Sequence, residues 1–314
     1  MPRFDTLHLN RFLTQFSLRY NNADFVNEKL FPVVQVQEEW DSYVVYDQGM
    51  MFTIADTKRA DGAESTQLDW NFGTADYHAE QYALKDIVTR RARRNADKPL
   101  QLDVTTLQYV QNAVMLTKEY QAAQIATNPS TYAASNTTAL SGTSQWNNSA
   151  STPLSDIQEA QAQIFTASRT YANVIVIPYQ VALALAYNTQ ILDLVKYTHD
   201  NILLRGAGGT PGSALLPQSL LGMEVVIAGA GYNTANPGQA ASLADVWGTG
   251  VILAHVERAP DLRSISFGKT FRTEKYVRKW FDEEREGDWI EYNDIYDLNV
   301  VAASTGYLIQ DAIA

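Results

Sequence analysis

Gly250-Val251-Ile252-Leu253-Ala254-His255, then Ser266-Phe267-Gly268-Lys269-Thr270-Phe271, then Trp280 to Asp297 ahead of an apolar end: the reading of these three blocks decides the fold. The first is a short apolar run with β-branched residues, the pattern of a strand buried on both faces. In the second, Ile265-Ser266-Phe267 and Phe271-Arg272-Thr273 alternate around Gly268-Lys269-Thr270, which predicts a hairpin turning at the glycine. In the third, eight carboxylates (Asp282, Glu283, Glu284, Glu286, Asp288, Glu291, Asp294, Asp297) stand against Arg285 alone. That composition predicts an acidic hairpin facing water or a partner.

Working outward, 314 residues with 46% apolar content are enough to bury a real core, as one large unit or about two domains. The formal charge of -11 excludes a protein whose main surface tracks nucleic acid, which needs lysine and arginine in excess. A shell that encloses DNA without gripping it fits that sign. Cysteine is absent, so disulfides, thiolate metal sites and cysteine nucleophiles are excluded together. No apolar stretch has the length of a signal peptide's core or a membrane span, which predicts a soluble protein made in a cytoplasm.

Residues 1–30 scatter Phe4, Phe12, Phe16 and other apolar side chains at no sustained period. Such a segment lies on the protein's own core or, as an arm, across a neighbouring subunit. Phe31-Pro32-Val33-Val34 and Ser42 to Asp47 read as strand, and a second run covers Leu68 to Leu84. Between them a small, charged segment with Lys58 and Arg59 is a hairpin tip or loop. From Lys85 to Lys98, six basic residues, Arg90, Arg91, Arg93 and Arg94 among them, oppose two acidic ones. The acidic block with Glu283, Glu284, Glu286 and Asp288 is the natural counterpart, within or between subunits; two separately solvated faces are the alternative.

Leu107, Val110 and Val114 share one helical stripe, and Tyr109, Ala113, Leu116 and Tyr120 an adjacent one, which predicts a packed helix from about Leu102 to Thr127. Asp103, Thr105 and Thr106 supply capping chemistry, and Asn128-Pro129 ends it. Ser130 to Thr152 is neutral and polar, the composition of a long loop. A second helix is expected from Ser155-Asp156 to about Arg169, then a strand at Asn173 to Ile177 and an apolar helix at Tyr179 to Tyr187. Between Arg205 and Asp245 only Glu224 is charged. That predicts core plus subunit interface, with turns at Gly206, Gly208, Gly209 and Gly212.

Catalytic patterns fail on specific residues. Gly268-Lys269-Thr270 ends like a phosphate-binding loop, but Arg263 stands where the first glycine belongs. His78-Ala79-Glu80 and His255-Val256-Glu257 lack the cysteines of a deaminase site. The strongest enzyme argument is the run Asp282 to Asp294 with Trp280 and Trp289, since glycosidases set two carboxylates beside aromatic platforms. A solvated or partner-facing hairpin explains the same residues. No catalytic residue, metal or cofactor is therefore assigned.

The order of arm, long β excursion, proline-punctuated central helix, neutral loop, mixed α/β region and closing strands resembles the tailed-phage major capsid proteins of the Hong Kong 97 fold type. The local text carries the resemblance: Trp70-Asn71-Phe72, Asp76-Tyr77, Glu80-Gln81-Tyr82-Ala83-Leu84, Asn95-Ala96-Asp97-Lys98-Pro99-Leu100, Asp245-Val246-Trp247-Gly248 and Asp294-Ile295-Tyr296-Asp297. It implies an α+β fold with an N-terminal arm (1–30) and an extended loop, the E-loop β-hairpin (31–94). A spine helix and peripheral domain (95–152), a mainly axial domain (153–288) and a return to the peripheral domain (289–314) follow. It implies a homo-oligomer of hexamers and pentamers in the phage head, enclosing DNA without sequence-specific binding. Its interface residues would be Phe4, Phe12, Phe16, Lys58, Arg59, Arg90, Arg91, Arg93, Arg94, Glu283, Glu284, Glu286 and Asp288. A separate scaffold, portal and decoration proteins are expected partners; no membrane is. An encapsulin-like cargo compartment shares the fold, and a glycan-processing enzyme or adhesin is the alternative from another class.

Overall fold

The computed structural model describes residues 22, 25–46, 49, 52–55, 57–59, 61–62, 64–65, 67, 72–96, 101–191, 216–236, 238–259 and 264–314. Phe4, Phe12, Phe16, Gly206, Gly208, Gly209 and Gly212 lie outside them. In chain order, a one-turn helix α1 (Asn27–Leu30) precedes β1 (Val33–Gln35), β2 (Trp40–Tyr46), β3 (Phe72–His78), β4 (Glu80–Thr89), α2 (Arg90–Asn95) and α3 (Leu102–Ala126). There follow β5 (Thr137–Ala139), α4 (Pro153–Ser168), β6 (Val174–Pro178), α5 (Tyr179–Ala186), β7 (Ser219–Leu220), β8 (Met223–Ala228), β9 (Gly231–Asn233) and β10 (Leu243–Asp245). The closing strands are β11 (Val251–Ala254), β12 (Gly268–Asp282), β13 (Gly287–Val300) and β14 (Gly306–Gln310).

Every residue of β6 and β11 is buried, as their continuous apolar text requires. They are the centre of a six-stranded mixed sheet ordered β5-β14-β11-β6-β8-β7. Alternate residues serve opposite faces. Ile175, Ile177, Val251, Leu253 and Ile309 pack with Ile157, Ala160 and Ile164 of α4 and with Val181, Ala182 and Leu185 of α5. Val176, Ile252, Ala254 and Leu308 pack with Leu30, Phe31, Phe267, Trp247 and the C-terminal alanines of α3.

A second sheet, ordered β1-β12-β13-β4, carries the long ribbon of β12 and β13 away from that core. The ribbon turns tightly, with Asp282 opposite Gly287 and Glu286 at φ 45°. A bulge separates Arg272 from Glu274. Helix α3 lies along one face, where Val110 and Val114 meet Tyr292 and Leu102 meets Val88 and Ile290. The hairpin of β2 with β3 forms a two-stranded sheet of its own.

Four expectations change. Gly268-Lys269-Thr270 is not a turn but the start of β12, paired with β1 and β13. The glycine is there for packing: a Cβ on it would sit 2.2 Å from Cδ1 of Phe31. Ser130 to Thr152 is not a plain loop. Asn136 is fully buried and donates to the Ser304 and Gly306 carbonyls, β5 pairs with β14, and buried Trp146 donates its indole N–H to Asp156. Asp103 does not cap α3, whose N-cap Gln101 makes no side-chain bond; its carboxylate is drawn to Arg93 and Lys279 instead. The outer stripe of α3 is also less buried than its spacing suggests, since Tyr109 is 71% exposed.

Candidate assembly surfaces and their anchors

The basic and acidic segments meet within one chain. β4 pairs with β13 from Thr89 opposite Gly287 to Glu80 opposite Tyr296, and the Arg90 backbone N–H donates to the Glu286 carbonyl at 2.8 Å. Thr89 caps α2 by accepting from the Ala92 N–H. Arg93 then bonds Asp103 and Asp288, each at 2.7 Å, and Lys279 bonds Asp103 at 2.8 Å and lies 3.6 Å from Asp288. Two cations and two carboxylates alternate around one ring. The Lys279 bond, followed by Arg93, holds the Asp103 carboxyl below the usual carboxylate range.

On the opposite face of the ribbon Trp280 and Trp289 stack at 6.4 Å. Lys85 sits 4.8 Å and Arg285 5.1 Å from the Trp289 ring, and Arg278 5.5 Å from that of Trp280. The Trp289 indole N–H donates to Asp282 at 2.9 Å, and with the Arg285 and Glu284 backbone N–H groups it lowers the Asp282 pKa. This is a brace for the hairpin tip, with the indole faces occupied by cations. Glu283, Glu284 and Glu286 remain exposed at the turn, beside exposed Arg90, Arg91 and Arg94.

The β2–β3 hairpin is anchored at its base. Tyr43 and Tyr77 stack on buried Phe271 at 5.3 and 4.6 Å, while Val44, Val45, Phe52 and Ile54 are exposed, Ile54 at 98%. Lys58 and Arg59 are exposed farther along the same excursion. An isolated two-stranded sheet is marginal in water. Exposed apolar residues along such a hairpin are the mark of a surface that is covered by something else.

Two buried charges on α3 were invisible to the apolar-stripe reading. Glu119 is fully buried and accepts from the backbone N–H groups of Val26 and Asn27 at 3.0 and 2.9 Å and from the Trp247 indole at 2.7 Å. Burial pushes its pKa up, and those donors pull it back. Lys118, beside it, is 3% exposed; its Nζ lies 4.8 Å over the Tyr296 ring and has no hydrogen-bond partner. Burial, with Arg272 second, pushes its pKa down to about 8. Arg272 is fully engaged nearby, bidentate to Asp294 at 3.0 and 3.2 Å and 3.5 Å from Glu28. The periodicity could have exposed Lys118, because Leu102, Thr106, Val110, Val114 and Lys118 recur every four residues on the buried face.

The four aspartates of the acidic run are taken up structurally: Asp282 by Trp289, Asp288 by Arg93, Asp294 by Arg272 and Asp297 by the His78 backbone N–H. His255 bonds the Tyr171 carbonyl through Nδ1. Among the described residues no group of three or more histidine, aspartate or glutamate side chains could hold a metal, and no helix is long and apolar enough to cross a membrane. His8 and His199 lie outside those residues.

The architecture has known counterparts. A phage-related protein from Bordetella bronchiseptica RB50 superposes with a TM-score of 0.70 at 23% identity, covering 96% of this chain and 97% of its own. The capsid structure of the cyanophage P-SCSP1u gives 0.64 at 10% identity, covering 93% and 90%. An encapsulin complex from Synechococcus elongatus PCC 7942 gives 0.56 at 10%, covering 97% and 96%. These likenesses define the fold class: α+β, of the Hong Kong 97 type seen in phage capsids. Its place within the class comes from sequence. The chain is 25% identical over 304 residues to the major capsid protein of Burkholderia phage BcepMu, covering 95% of this chain and 94% of that one. No protein-family model matches. In fold and in sequence the chain is thus similar, over nearly its full length, to the tailed-phage major capsid proteins.

Proposed function

We propose that the chain builds the phage head: hexamers and pentamers closing into an icosahedral shell around double-stranded DNA, which it encloses without sequence-specific contacts. The observation that carries this is the E-loop hairpin, tied to its own subunit at Phe271 and exposing Val44, Val45, Phe52 and Ile54 beyond that tie. A neighbouring copy is the natural cover, and it also protects the hairpin's strand edges from open-ended aggregation. Several moderate interfaces then act together, each further contact being effectively intramolecular once neighbours are in place.

Within that reading residues 1–30 are the arm, 31–94 the E-loop, 95–152 the spine helix and peripheral domain, 153–288 mainly the axial domain and 289–314 the return. Gly268–Asp282 is the part of the axial stretch that shares the peripheral sheet. Phe4, Phe12 and Phe16 act from the arm, and Lys58 and Arg59 from the E-loop. Arg90, Arg91 and Arg94 form subunit contacts together with Glu283, Glu284 and Glu286. A patch with both signs side by side suits a second copy of itself. Arg93 and Asp288 support that patch from within. The role read here is structural, in line with the engagement of Asp282, Asp288, Asp294 and Asp297 within the fold. A separate scaffold, portal and decoration proteins are the expected partners, and synthesis is in the bacterial host's cytoplasm.

The test is the particle formed by purified protein, with a candidate scaffold co-expressed, measured by sedimentation and negative-stain electron microscopy. Closed megadalton shells support the proposal, and their contents, DNA or a cargo enzyme, separate a phage head from a compartment. A stable small oligomer even with scaffold overturns it.

A further inference from the structure

Asn22 and the Val26-Asn27 pair are fixed to the subunit at two separate points. At the first, the Asn22 side chain donates to the Gly231 carbonyl at 2.9 Å and accepts from the Gly231 N–H at 3.0 Å, mimicking a strand partner at the edge of β9. At the second, the Glu119 carboxylate takes the Val26 and Asn27 N–H groups, one on each oxygen. That carboxylate also takes the Trp247 indole, and Trp247 follows β10, the partner of β9. Both points therefore tie the segment to one small unit, the β9–β10 hairpin with the end of α3.

A buried carboxylate without a cation partner is costly, and its retention calls for a reason beyond stability. Among the described residues Glu119 takes the Val26 and Asn27 N–H groups and the Trp247 indole and forms no ion pair, though Lys118 is adjacent in sequence. Capping the first turn of α1 alone needs no charged group, since an exposed serine or asparagine does it. What a fixed carboxylate adds is direction: held through Oε1 by the Trp247 indole, it orients two successive backbone N–H groups, one on each oxygen. Asn22, bonded to Gly231 in both directions, is the second point.

We infer that Glu119 is a positioning residue for the N-terminal arm, fixing together with Asn22 the direction in which the arm leaves the subunit and so which neighbour it reaches. This rests on the shell reading above. The experiment is assembly of full-length Glu119→Gln and Asn22→Ala beside wild type and Ile164→Val, a core variant chosen to cost similar stability at a site remote from the arm. Shell yield by sedimentation and unfolding midpoint are read on each. The expected result is a loss of shells of about tenfold or more for both arm variants, because one contact is removed from every subunit of a multivalent assembly. Ile164→Val, destabilised to a similar degree, assembles as wild type. Wild-type yield from Asn22→Ala, with Glu119→Gln falling no further than the core control, overturns the inference. Should Glu119→Gln fail to fold, the exposed Asn22→Ala decides alone. Absence of shells from wild type would instead overturn the shell reading.

Discussion

Arg93 and Asp288, 195 positions apart in sequence, meet at 2.7 Å, and the same guanidinium nitrogen bonds Asp103 at 2.7 Å. Removing either carboxylate leaves two cations, Arg93 and Lys279, sharing one partner. The ring is partly exposed, with the Asp103 side chain at 38%, so Asp103→Asn is expected to cost no more than about 1 kcal/mol, shrinking at high salt. The folded-state pKa of Asp103 is depressed, so its contribution is present above the unfolded value and lost as pH falls through the folded one. Urea midpoints at pH 7 and pH 3 check this: wild type should lose the increment that the asparagine variant lacks at both.

Lys118 is the opposite case. Its folded pKa, near 8, lies below the unfolded value, so above pH 8 the unfolded chain holds the extra proton and stability rises with pH. Chemical denaturation between pH 7.5 and 9.5 should show that rise in wild type. Lys118→Met should remove it and gain about 1–3 kcal/mol at pH 7, as buried charges replaced by apolar groups of similar volume do. A loss of stability in Lys118→Met would mean that the amine's contacts with Tyr296 and Asp294 outweigh its burial.

At Gly268 the constraint is steric. Gly268→Ala places a methyl 2.2 Å from the Phe31 ring, which is fully buried against Phe267. The expected cost is about 1–3 kcal/mol, the usual price of overpacking. Phe31→Leu in the same chain should return part of it, giving a non-additive double-mutant cycle by thermal unfolding.

Reversing exposed Arg91 and Arg94 to glutamate, with Arg93 left in its ring, should change monomer stability by only about 0.5 kcal/mol. Shell yield should fall by about tenfold if the α2 face and the Glu283–Glu286 turn meet a second copy. Normal shells from that variant would remove α2 from the interface.

Much of this was legible in the sequence for identifiable reasons. The apolar runs of β6 and β11 admit little but a strand covered on both faces; opposite charge at Lys85 to Lys98 and Asp282 to Asp297 suggested a contact, within or between subunits, but not the pairing of β4 with β13 that makes it within one chain. The boundaries of α3 followed from Val110, Val114 and Asn128-Pro129. What was missed has one cause: side chains whose local text suggests water or a turn but whose partners lie far away in sequence. Glu119 is satisfied by Val26, Asn27 and Trp247, and Gly268 is required by Phe31. Asn136, in a neutral stretch that reads as loop, is buried because Ser304 and Gly306 offer it carbonyls. The Phe4, Phe12 and Phe16 expectation lies outside the described residues.

The position of β14 bears on how the molecule is made. Gly306–Gln310 lies between β5 and β11, inside the six-stranded sheet. While a ribosome is still short of residue 310, the sheet has a strand-wide slot and Thr137–Ala139 has no neighbour to pair with. Helix α3 and the β6–β8 pair can form early, but the central layer closes only after polymerisation has passed that point. A nascent subunit is thus kept incomplete by its own topology, and the timing of synthesis sets when a finished one can first meet its neighbours.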